Sequence, residues 1–170
     1  VERILFPNSN LMEESLSYEK IRGYIDLKMF DEALSAIEDL PPEDRSSQDT
    51  QELRIIIMLD QGRIHDAWEL STILSDLHPD NSAGFIQGAW CLHARGETER
   101  AIEHLNSGPA SLREEPVYFY NLACYELALG KKQAALTWLK RSFEMDPSRR
   151  AKVLEDPDPS SLRESILNLD

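Results

Sequence analysis

Cysteine and histidine are scarce in this chain, and what there is lies scattered. The two cysteines, Cys91 and Cys124, are far from any CxxC spacing and read as free thiols, which suits a reducing compartment better than a disulfide-stapled secreted domain. The four histidines, His65, His78, His93 and His104, make no HExxH and no i, i+4 pair, so no helical metal site is expected. Seven glycines form neither a phosphate-cradling loop nor a nucleophile elbow, and no paired acid/base constellation appears. Acidic pairs such as Asp156 and Asp158 read as turn and cap residues. The chain is therefore read as a non-enzyme without a cofactor.

Long apolar runs are missing too. No stretch of about 18 apolar residues exists to cross a bilayer, and the N-terminus lacks the basic-then-apolar pattern of a secretory leader. The expectation is a cytoplasmic chain with no membrane partner, and Val1 in place of Met leaves open a fragment or a processed form. Bases are the minority charge: the net charge is −13, with 20 acids and 9 bases in residues 1–100 against 11 and 9 in 101–170. The basic residues of the second half gather around Lys131, Lys132, Lys140, Arg141, Arg149, Arg150 and Lys152. Phosphate backbones call for a continuous basic track, so nucleic acid is not expected as a partner. Prolines and glycines fall mostly at the boundaries proposed below, and no linker tract marks a second domain. At 170 residues the chain can bury about 70% of its unfolded surface, enough for one core.

What is present is a period. Ala33, Ala67, Ala101 and Ala135 stand 34 residues apart, as do Gly62, Gly96 and Gly130, and Pro79 and Pro147 stand two such intervals apart. A glycine past a helical run can take the left-handed conformation that ends the helix and turns the chain. An alanine one turn into the next helix lets two helices approach closely, and a proline cannot continue a helix. The interval is that of a two-helix repeat.

On these landmarks the chain resembles the tetratricopeptide-repeat (TPR) family, with four repeats over roughly residues 14–147. The last repeat is the most faithful, with Phe119, Leu122, Ala123, Gly130, Ala135, Leu139 and Pro147 in register. The others depart: Lys28 replaces the turn glycine, Gln51 stands at a large apolar position, and Gly88 stands where leucine is usual. Lys28 has no left-handed advantage, so the first turn is expected to be looser. The resemblance implies an all-α fold, an α-α superhelix (TPR solenoid) of four helical hairpins with a C-terminal cap, in a single domain over 1–170.

In chain order, residues 1–10 form an extended segment whose Ile4, Leu5 and Phe6 either fill a groove as a displaceable lid or pack on the first hairpin's outer edge. Asn10 and Glu13 make a capping-box-like start. Helices are expected to about Leu27, over Asp31–Asp39, Asp49–Gln61, Ile64–Leu77, Ser82–Arg95, Glu97–Ser107, Pro116–Leu129 and Lys131–Met145, with a long loop between Leu40 and Asp49. Residues 148–170 are read as a capping segment in which Val153, Leu154, Leu162, Ile166 and Leu167 cover the last apolar face, as solenoid ends require.

The family's inner wall comes from the first helix of each repeat. Carried across, the resemblance implies a binding groove lined by Tyr18 and Arg22, Glu52 and Ile56, Ile86 and Trp90, and Tyr120 and Cys124, with His93 a further turn along. The implied function is a protein-interaction scaffold that receives a protein or peptide segment presenting apolar side chains. The alternatives are a self-assembling module, joining an acidic first half to the basic end of another chain by self-association, and a regulatory arm of an enzyme complex. The Lys/Arg/Asn clamp that chaperone-tail binders use is not assembled, as Arg22 and Asn121 alone would contribute.

Overall fold

The computed structural model describes residues 16–150. The expectations for Ile4 to Phe6, for Asn10 and Glu13, and for the capping helix lie outside them. Among the described residues the chain is all-helical, without a strand: α1 (Leu16–Asp26), α2 (Phe30–Glu38), α3 (Pro42–Arg45), α4 (Gln48–Asp60), α5 (Ile64–Leu77), α6 (Ser82–Ala94), α7 (Thr98–Asn106), α8 (Pro116–Ala128) and α9 (Lys132–Met145), with a 3-10 turn over Ala110–Glu114.

The period governs where helices begin. Helices α4, α6 and α8 start at Gln48, Ser82 and Pro116, and α2, α5, α7 and α9 start at Phe30, Ile64, Thr98 and Lys132, each 34 residues after the last. Helical conformation resumes at Arg149, one residue before the next start at that interval. Helices α1 and α2, α4 and α5, α6 and α7, and α8 and α9 pack as hairpins, and α5 packs on α6 to join two of them. Ala33, Ala67, Ala101 and Ala135 are all fully buried where the paired helices meet.

The four hairpin turns are the same turn. Gly62, Gly96 and Gly130 have φ of 75°, 81° and 77°. In each, the residue's own N–H and the next one donate to carbonyls of the last helical turn, as in Gly62 to Leu59 and Arg63 to Met58. Lys28 corrects the expectation of a looser first turn. It adopts φ 60°, and its hydrogen bonds, Lys28 to Ile25 at 2.9 Å and Met29 to Tyr24 at 2.8 Å, reproduce those of the glycine turns. The strain is borne because the ammonium reaches Asp60 of α4 at 2.9 Å and lies over the Phe30 ring.

The other departures also have local reasons. Gly88 is glycine because the His104 ring fills the space: an added Cβ would lie 2.5 Å from Nε2. That ring is held between Trp68 and Phe85, with centroids 5.2 and 5.6 Å away. Burial pushes the His104 pKa down, favouring the neutral ring. Gln51 uses its amide to hold the Arg45 carbonyl at 2.7 Å. It thereby fixes the short helix α3 within the stretch expected to be loop, where Pro42 sits at the first helical turn. The second helices alternate in length, since Pro41 and Gly108-Pro109 follow the short α2 and α7 while Pro79 and Pro147 follow the long α5 and α9.

Candidate functional site

First helices form a continuous wall, α4 against α6 and α6 against α8. Its N-terminal edge is stitched by a contact that spans 29 residues. The Tyr18 hydroxyl lies 3.1 Å from Ser47 Oγ and 3.0 Å from Thr50 Oγ1, and Ser47 caps α4 by accepting from the Thr50 N–H. One repeat later the Asn81 amide donates to Glu52 at 3.2 Å, while the Asn81 carbonyl oxygen accepts from the Ala83 N–H and so caps α6. Two repeats further on, Tyr120 interacts electrostatically with Arg149. Tyr18, Glu52 and Tyr120 stand at the same place in the 34-residue period, and so do Ser47, Asn81 and Arg149. Ile86 occupies that place in α6 and has no polar atom to offer such a contact.

This geometry corrects part of the expected groove. Ile86 is fully buried, and Ile56 and Tyr120 are each about 5% exposed. The neighbouring helices cover them: Ile56 joins the core of the first hairpin with Ile21 and Ile25, Ile86 joins the central core, and Tyr120 packs with Ala135, Leu139 and Phe143. Their side chains are stacking elements and present no surface to a partner. Tyr18, Arg22, Glu52, Trp90, His93 and Cys124 remain partly exposed. Trp90 and Cys124 lie against the central core at the same register position of α6 and α8. The His93 ring lies tilted against Tyr125 with centroids 4.8 Å apart, and its Nδ1 is 3.1 Å from Thr98 Oγ1.

Burial is the first cause, and the nearby Asp49 carboxylate the next, that raises the Glu52 pKa to about 7 against the attraction of Arg22. Glu115 is also raised, chiefly by burial. Arg149 is 8% exposed and pairs through Nε with Asp146 at 3.2 Å. The residues that sequence reasoning missed are therefore Asn81, Ser82, Glu115 and Arg149. A signal was present: Ser47, Asn81, Glu115 and Arg149 recur at the repeat interval and all are polar.

Among the described residues no group of His, Cys, Asp and Glu could hold a metal ion, and no helix is long and apolar enough to cross a membrane. No protein-family model matches this chain, and no curated protein matches it.

Proposed function

We propose that the chain is a TPR-like superhelical scaffold that holds an extended or helical segment of another protein against its first-helix wall. The observation that carries this reading is the constant 34-residue register of the helix starts, with one shared turn geometry. It aligns Trp90 and Cys124 on neighbouring helices as a partly exposed, mostly apolar strip. Such a strip suits apolar side chains of a partner, and tryptophan is among the residues in which interfaces concentrate their energy.

The experiment compares partners recovered by the wild-type chain, by Trp90→Ala and by Ile73→Ala, since Ile73 is exposed on α5 outside the wall. A partner retained by wild type and Ile73→Ala and weakened about 30-fold or more by Trp90→Ala, equivalent to about 2 kcal/mol, supports the wall as its site. Equal recovery by all three overturns the assignment.

A further inference from the structure

Two patches on the later hairpins carry apolar surface that the packing of the chain does not consume. On α5, Ile73 and Leu77 stand one turn apart and are 53% and 69% exposed. The partly buried Leu70 precedes them on the same helix face, so the three make one strip. Exposed acids border it, with Glu69 and Asp76 on the helix and Asp80 just past its end, and Glu69 lies 3.5 Å from His65. The second patch is a row of rings on the fourth hairpin. Tyr118 meets Phe119 edge-on with centroids 5.0 Å apart, and Phe119 stacks on Trp138 at 5.8 Å. An arginine lies over each α8 ring, Arg113 at 5.7 Å from Tyr118 and Arg141 at 5.8 Å from Phe119. Phe119 and Trp138 are partly exposed, and Lys140 adds a further exposed base. Arg141 also meets Glu144 at 3.3 Å, but both side chains are about half exposed, so water weakens that pair.

The two patches occupy the same places in the period: Trp138 and Arg141 on α9 stand where Leu70 and Ile73 stand on α5, two intervals earlier. Within one copy they do not meet, because α6, α7 and α8 pack in sequence between α5 and α9. Between copies, two strips would set acid against acid and two rows base against base, and like charges across an interface are costly. A strip against a row matches both properties at once. It places Ile73 and Leu77 on ring faces, and Glu69, Asp76 and Asp80 near Arg113, Lys140 and Arg141. We propose that the α5 strip of one copy docks on the Phe119–Trp138 row of a second copy of this chain. The contact is heterologous, so each pair keeps one unused strip and one unused row, and assembly continues head to tail. The net charge of −13 repels copies from one another and makes the assembly concentration-dependent. The contact does not rest on the partner proposed above, since Trp90 on α6 takes no part in it.

The test is sedimentation velocity of the whole chain from about 10 μM to about 1 mM, the range of weak association. The wild type should show a mass that rises with concentration past that of a dimer. Ile73→Asp, which spoils the strip, and the Lys140→Glu, Arg141→Glu double variant, which spoils the row, should each weaken self-association by about 30-fold or more. An equal mixture of the two should regain it as a one-to-one pair that grows no further, because one variant keeps its row and the other its strip. A wild type that stays monomeric throughout would mean that other molecules or nothing cover these patches, and would overturn the proposal. Undiminished association of Ile73→Asp alone, or a mixture that does not pair, would overturn it as well. Should Ile73→Asp fail to fold, Leu77→Asp takes its place at the end of α5. Trp90→Ala should self-associate as the wild type does, which separates a failure here from a failure of the wall.

Discussion

Glu52→Gln should stabilise the protein, and should do so only above acidic pH. Gln retains the shape and an oxygen to accept from Asn81, so the substitution removes little besides the ability to ionise. In the wild type the folded-state pKa is about 7 against an ordinary 4.5. Below pH 4.5 the carboxyl is protonated in the folded and the unfolded chain alike, and the two proteins should be equally stable. As pH rises from 4.5 towards 7 the unfolded chain releases its proton while the folded one must keep it or ionise a buried group, so wild-type stability declines relative to the variant. A displacement of this size corresponds to about 3 kcal/mol at pH 8, and solvent reaching the partly exposed carboxyl reduces it to about 2 kcal/mol. Urea denaturation at pH 4.5, 6, 7 and 8 measures the difference directly. It should be near zero at pH 4.5, grow through pH 6 and level off above pH 7. A constant difference, or a variant less stable at pH 8, would mean that the attraction of Arg22 outweighs burial and Asp49, and the reasoning would be wrong.

Gly96→Ala should lose about 1 kcal/mol, because a Cβ there meets nothing within 4 Å and the φ of 81° is the whole penalty. The converse, Lys28→Gly, should gain up to about 1 kcal/mol from the relieved backbone, less a few tenths for the lost Asp60 pair; if denaturant midpoints show no gain, the strain at φ 60° is not real. Gly88→Ala should lose about 1 to 3 kcal/mol by overpacking, and part of that loss should return in the Gly88→Ala, His104→Ala double variant. Additive losses in that cycle would show that His104 does not set the limit at position 88.

Much of the fold was legible because its strongest constraints are local and periodic. A left-handed glycine, a buried alanine and a helix-stopping proline each act within a few residues of themselves. Their repetition located seven hairpin helices to within a residue or two. Lys28 escaped because the sequence shows its steric handicap, whereas the compensating Asp60 lies on another hairpin. Helix α3 escaped because Gln51, which secures it, reads as a defect in the apolar pattern. The 34-residue spacing put Glu52, Trp90 and Cys124 on first helices, where they are partly exposed, but how deeply each position is covered depends on how closely successive first helices approach. That approach buries Ile56, Ile86 and Tyr120. The 29-residue partnership of Tyr18 with Ser47 and of Glu52 with Asn81 is a property of two stacked helices, which no single repeat displays.

That partnership also decides how the molecule bears load. Each stitch ties one hairpin to its immediate successor, and the packing that joins hairpins runs between neighbours along the chain. Under tension such a chain behaves as a row of clasps in series, each loaded in turn, and does not resist as a single cross-braced body. Opening one hairpin frees about 110 Å of contour while the remaining clasps keep their shape. A tethered assembly containing this chain would thus have a spring that lengthens in steps, with the step at Glu52 and Asn81 adjustable by the proton concentration around it.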